Sequence, residues 1–272
     1  MVEHSRQVGR GTAEAAVSNW DKPGRNFAIM GMARSGTSLA SKLISEHVVN
    51  AYCMNETEIN ITKIPALLAD VRERLAKGRM VPNRFRGAKL SSDTVRVRAP
   101  VEMRIAEGSY DSEAVVGIKM VPEYRAALER EYTVIAIVRD PVYAIASWRQ
   151  AGDIVHHHVN DDDMDPFWVH HGFKFKHEER LLRQCEIWET YAKQIKKAER
   201  TKPRLVDVWR YEGIVALPKV LIGDFAERFG CKLTGKIPTL ASRNEPSRFY
   251  DIKRIREAVE KYCPTRKAFG YA

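Results

Sequence analysis

The chain of 272 residues has few cysteines and no long apolar run, and each absence narrows what it can be. Cys53, Cys185, Cys231 and Cys263 are scattered, with no CxxC pair. That excludes a disulfide framework and a zinc motif built on paired cysteines, and it fits reduced thiols in a cytoplasmic protein. No stretch approaches the roughly 20 apolar residues of a membrane-spanning helix. The opening MVEHSRQVGRGTAEAAVSNW lacks the apolar core of a signal peptide. Residues 1–26 read as a polar leader ahead of a single domain over 27–272, and no internal repeat divides that domain.

What is present is a hydrophobic content of 44%, sufficient for a sizeable core, and a formal net charge of +10. The basic residues are spread along the chain rather than gathered into one tract. That distribution favours discrete anion sites on a solvated basic surface over a nucleic-acid-binding face.

The stretch FAIMGMARSGTSL, residues 27–39, organises the rest. Phe27 to Met30 are apolar, as a buried strand requires, and Gly31 and Gly36 bound a loop. Leu39, Leu43 and Val48 then recur at near-helical spacing. A strand, a glycine-bounded loop and a helix start aim backbone N–H groups at one point, where an anion is favoured. The pattern approaches the Walker A loop GxxxxGK(S/T), with Gly31, Gly36 and Ser38 in place. Thr37 stands where that loop has its lysine, which argues against a nucleoside triphosphatase. A plain helix cap is the other reading of the same residues.

A second strong segment is EYTVIAIVRDPVYAIASWRQ. Thr133 to Val138 form a continuous β-branched run, as in a strand covered on both faces. Arg139 follows at the strand end, Asp140 is a good N-cap and Pro141 a good first helical residue. Ser147 comes eight residues after Arg139, about two helical turns on. Ala114 to Met120 read as another buried strand with Lys119 near its end, and Pro122 reads as opening a helix. Leu205 to Trp209 read as a further strand that ends at Tyr211-Glu212, and Gly230 closes the helix that follows. A short strand before Glu56 is expected beside the first one. A helix is expected from Thr57 onward with Leu67, Leu68, Val71 and Leu75 on one face, broken near its middle by Pro65. Residues 178–200 read as a long amphipathic helix, and the tail as a basic loop and a final helix. Strands alternating with helices imply an α/β fold of three layers, a central parallel sheet of the P-loop type flanked by helices.

Loop and strand end together resemble sulfotransferases that use 3′-phosphoadenosine 5′-phosphosulfate (PAPS). The likeness runs from Phe27 to the end of the chain. It is specific at RSGTS and at Arg139/Ser147, and loose over 78–112 and 151–179. The resemblance implies that Arg34, Ser35, Gly36, Thr37 and Ser38 hold the 5′-phosphosulfate, and that Arg139 and Ser147 hold the 3′-phosphate. Tyr211 would lie near the adenine; Gly213 departs there from the family's Tyr-Glu-Asp step. Ser242, Arg243 and Arg248 fall in a loop that closes over the 3′-phosphate in family members. The ending CPTRKAFGYA is similar to the family's closing segment.

Lys119, a few residues before a proline, corresponds to a lysine that stabilises charge at the sulfuryl group. Val121 stands where the branch acting on phenols and steroids has its histidine base. The Glu-Thr pair of the branch acting on protein tyrosine aligns with Glu56-Thr57 if one residue is inserted. Glu56 would then be the base, with Glu58 in reserve; a helix-start carboxylate is the alternative role for Glu56. Tyr211 as a boundary tyrosine, and Lys119 as a side chain reaching water past the strand edge, are likewise open.

The stretch from Ala151 to Glu179 holds six histidines and an aspartate run. It reads as a lid over the acceptor, since its spacing does not supply a converging zinc site. A histidine between 156 and 177 is a further candidate for the base. The resemblance implies sulfuryl transfer from PAPS to a hydroxyl or amine, with release of the 3′,5′-bisphosphate PAP and no metal. The acceptor is a small molecule, carbohydrate, lipid or peptide. A P-loop small-molecule kinase and a noncatalytic nucleotide-binding module are the alternatives.

Overall fold

The computed structural model describes residues 21–54, 57–58, 63–79, 81, 85–86, 89–90, 106, 108–120, 124–150 and 174–272. Five parallel strands form the central sheet: β1 (Asn26–Gly31), β2 (Ala51–Met54), β3 (Val115–Met120), β4 (Thr133–Val138) and β5 (Val206–Arg210). Their order is β2-β3-β1-β4-β5, and every neighbouring pair is parallel. The expected parallel α/β sheet is therefore present. One neighbour differs from expectation. The short strand after α1 (Thr37–His47) pairs with β3, at Ala51–Val115 to Met54–Ile118, and not with β1. β3 arrives later in the chain and takes the place beside β1, from Asn26–Val116 to Met30–Met120.

β1 is buried along its whole length. Phe27 and Ile29 join a core beneath α1 and α7 (Pro218–Arg228), whereas Ala28 and Met30 join the core of the opposite face. That face is covered by α2 (Ile64–Ala76), α4 (Pro141–Arg149), α5 (Arg180–Thr201) and α8 (Ile252–Tyr262). α3 (Tyr124–Glu129) and the short α6 (Tyr211–Ala216) complete the helices used below. Alternate residues of one strand thus feed two cores, which is why the strands read as unbroken apolar runs.

α2 corrects a second expectation. Thr57–Glu58 is a two-residue strand, and the helix opens at Ile64 with Pro65 in its first turn rather than at a mid-helix break. The reason is local: proline lacks an N–H, and the first turn needs none. Tyr211 opens α6 directly after β5. Gly230, at φ 63°, lies just beyond α7 in the place foreseen for it. Pro122 and residues 151–173, most of the proposed lid, lie outside the described residues.

Candidate functional site

The loop after β1 is fixed by close approaches that forbid side chains. A Cβ on Gly31 would sit 2.5 Å from the Ile137 carbonyl oxygen of β4. Gly36 has φ +96°, and a Cβ there would lie 2.7 Å from the Tyr211 ring. Arg34 between them also takes a left-handed φ, 68°, which is strained for a non-glycine residue. The Ser35 N–H donates to the Met32 carbonyl at 3.1 Å and closes the turn. The Ser35 side chain is buried, and its hydroxyl has no hydrogen-bond partner among the described residues.

Two helices begin beside this loop, and their N-termini differ. On α4, the Asp140 carboxylate accepts from the Val142 N–H at 2.8 Å, so the first turn is capped from within. Burial raises the Asp140 pKa, and the bond to Val142 opposes that shift. On α1, the N-cap is Gly36, with no side-chain cap and no acidic residue in the first turn. The first-turn N–H groups of α1 therefore lack a side-chain acceptor, and the helix dipole favours an anion in front of them.

Arginines converge on this spot. Arg34 Nε donates to Ser147 Oγ at 3.3 Å, which joins the loop to α4. Burial lowers the pKa of Arg34, and the nearby positive charge of Arg243 lowers it further. Neither Arg34 nor Arg243 forms an ion pair among the described residues. Two like charges drawn together repel one another unless an anion joins them. Arg139 lies beneath and is 4% exposed. Its Nη1 donates to the Arg34 carbonyl at 2.9 Å, and its Nη2 approaches the Arg243 carbonyl at 3.4 Å. Nε and Nη2 both donate to Asn244 Oδ1, at 2.9 and 2.6 Å. Arg139 Cζ also sits 4.3 Å from the centre of the Tyr211 ring. Its guanidinium is thus directed into protein acceptors, with Tyr211 packed between it and Gly36.

On the other side of the loop, Lys119 is 3% exposed, and its Nζ donates to Ser38 Oγ at 2.8 Å. It does not reach water past the strand edge. Ser242 Oγ accepts from the Asn244 N–H at 3.2 Å and shapes the 240s loop. Arg248 stands apart. It is paired with Glu245 at 2.6 Å, while its carbonyl accepts from Gln150 at 2.6 Å. Glu56 lies outside the described residues, as does the side chain of Glu58. Of the candidate histidines only His177 is described; it meets Glu186 at 2.8 Å and packs edge-on against Tyr262. Among the described residues no group of three or more His, Cys, Asp and Glu side chains is placed to hold a metal ion, and no helix is long and apolar enough to cross a membrane.

The structure brings together Arg34, Ser147, Arg139, Tyr211 and Arg243, residues far apart in sequence. It also reveals partners that sequence reasoning passed over: Asn244, Glu212, Trp188 and Tyr271. Asn244 Nδ2 donates to Glu212 Oε1 at 2.8 Å, and Trp188 Nε1 to the Arg139 carbonyl at 3.2 Å. Of these, only Glu212 and Tyr271 carried a signal, through the Tyr-Glu step after a strand and the closing Gly-Tyr.

No family model matches the sequence, and no curated protein matches it. Among solved structures, the chain is similar to a sulfotransferase from Alicyclobacillus acidocaldarius. The two are 20% identical, with a TM-score of 0.45, over 88% of this chain and 92% of that one. It is also similar to the sulfotransferase domain of the olefin synthase of Synechococcus PCC 7002. There the identity is 12% and the TM-score 0.43, over 91% of this chain and 94% of that one.

Proposed function

We propose that the protein transfers the sulfuryl group of PAPS to a hydroxyl or amine acceptor and releases PAP. The observation that carries this reading is the meeting of Arg34 and Arg243, whose carbonyls both accept from Arg139, with no carboxylate partner for either among the described residues, beside the uncapped N-terminus of α1. In this reading the 5′-phosphosulfate sits on the backbone of Arg34 to Thr37 and the hydroxyl of Ser38. Ser147, Arg243 and the Arg34 guanidinium take the 3′-phosphate, with the charge of Arg139 beneath them. Arginine suits that task because its planar fork matches phosphate oxygens in pairs.

As the acceptor oxygen forms its bond to sulfur, the bond from sulfur to the bridging phosphate oxygen breaks. Negative charge then grows on the 5′-phosphate of PAP, where Lys119 and the N–H groups at the start of α1 offset it. Glu56 takes the acceptor's proton. The protein acts by holding two reactants in line and by fixed charge, and this reading needs no metal. Four free thiols fit a reducing compartment, and we assign the protein to the cytoplasm.

The test is transfer of labelled sulfate from PAPS to panels of phenols, sugars, lipids and peptides, with ATP as the competing donor. Labelled product from PAPS alone is the expected result. Phosphoryl transfer from ATP, or no transfer with any panel, would overturn the assignment.

A further inference from the structure

The Glu212 carboxylate sits where the end of β5, the start of α4, the 240s loop and the closing segment 263–272 meet. Its Oε1 accepts from the Asp140 N–H at 3.3 Å and from Asn244 Nδ2 at 2.8 Å. Its Oε2 accepts from the Tyr271 hydroxyl at 2.8 Å, with Arg210 Nε at 3.9 Å. Asn244 cannot turn its amide over. Reversal would set NH2 against the Arg139 guanidinium and oxygen against the Glu212 carboxylate. The amide therefore passes polarity one way, from Glu212 to Arg139, and Arg139 in turn holds the carbonyl of Arg34 at its left-handed φ.

The closing segment has a second hold on the same arginine. Phe269 meets Trp188 edge to face at 6.4 Å, and Trp188 donates to the Arg139 carbonyl. The segment is itself anchored, since Thr265 bonds Glu189 through its N–H at 3.1 Å and its hydroxyl at 2.6 Å.

We infer that Tyr271, Glu212 and Asn244 are positioning residues. Together they transmit the seating of the closing segment to Arg139, and through it set the conformation of the anion loop. A strained residue such as Arg34 persists only where its surroundings over-determine it, and this chain of bonds supplies that constraint. The inference deepens the donor-site reading and rests on it only for which anion is bound.

The test is hydrogen exchange on the full chain without ligand, comparing wild type with Tyr271→Phe and Asn244→Ala. Tyr271→Phe removes one hydroxyl from a packed ring and so spares the fold. Exchange over residues 31–41 should rise about tenfold in both variants, in step with that over 239–248. In Tyr271→Phe, faster exchange confined to 263–272, or spread evenly over the whole chain, would overturn the inference, because a merely structural tyrosine acts in those ways. A second arm measures the affinity ratio of PAP to 5′-AMP, which lacks the 3′-phosphate. The ratio should fall in Tyr271→Phe even though that residue does not touch the ligand. Wild type showing no preference for PAP would sink the donor-site reading, and the exchange arm would still decide this one.

Discussion

Arginines stand at both ends of the central sheet, and they are held in opposite ways: Arg72 is buried, whereas Arg34 is exposed. At the N-terminal end, Arg72 is fully buried and enclosed by acceptors. Its Nε donates to the Ala114 carbonyl at 2.8 Å and its Nη2 to the Arg25 carbonyl at 3.4 Å, while Asn26 Oδ1 closes the ring. Burial lowers its pKa to about 10, against the opposing pull of Asp21 and Glu113. At the other end, Arg34 has a single 3.3 Å bond to Ser147 and a second arginine as its charged neighbour. Arg139 stands between the two cases, enclosed like Arg72 and joined by an asparagine to a carboxylate, yet touching the loop that Arg34 belongs to. Burial of a cation therefore does not mark a site. Positive charge whose protein partners are too few does.

That contrast can be broken by mutation, and the largest effect is expected at the closed end. Arg72→Met leaves the Ala114 carbonyl and Asn26 without a donor, and should cost about 3 kcal/mol of stability or more. Denaturant unfolding measures the loss, and PAP affinity of the folded fraction should be unchanged. Arg34→Gly should do the reverse. Glycine accepts the positive φ, so the melting temperature should hold or rise, while PAP affinity falls about 100-fold, roughly 2.7 kcal/mol. Loss of stability without loss of binding in Arg34→Gly would make the two ends alike.

Gly36→Ala probes the boundary between them. The added methyl meets Tyr211 at 2.7 Å in a left-handed backbone, so about 2 kcal/mol of destabilisation is expected together with weaker PAP binding. Thermal melts and titration of the same preparation check both.

The smallest effect, read per pH unit, is one of pH. Burial pushes the Cys53 thiol up to about 12, and burial also raises the Tyr52 and Tyr191 hydroxyls. Their folded pKa lies above the unfolded value, so the stability they give is full below the unfolded pKa and is lost as pH rises toward the folded one. For Cys53 the window opens near pH 9, with a slope of about 1.4 kcal/mol per pH unit. Denaturation midpoints from pH 8 to 11 should fall in wild type and fall less steeply in Cys53→Ala.

Much of the fold was legible because local patterns encode it. The run from Thr133 to Val138 matches its strand residue for residue, and Asp140-Pro141 cap and open α4 as their chemistry requires. The neighbour of β2 was not legible, because strand order depends on a later segment claiming the position beside β1. The place of Pro65 was not legible either, because apolar periodicity alone does not separate α2 from the short strand Thr57–Glu58 before it. In the candidate site, Arg34 lies directly against Ser147 and Arg139, residues that the sequence reading assigns to a separate phosphate. Asn244 carried no signal, since its role arises only where a loop 105 residues downstream meets the strand end. Ser242, Arg243 and Arg248 read from sequence as one group; Ser242 bonds the Asn244 N–H, whereas Arg248 is matched to Glu245.

The account turns on one nucleotide spanning the α1 N-terminus and the Arg34–Ser147–Arg243 cluster. Calorimetric titration of wild type with PAP and with ADP, at equal ionic strength, tests it most directly. PAP binding at least about tenfold tighter than ADP, at one site per chain, is the predicted result, since one charge-assisted phosphate contact is worth that much. Equal affinity for the two, or no heat with either, would contradict it.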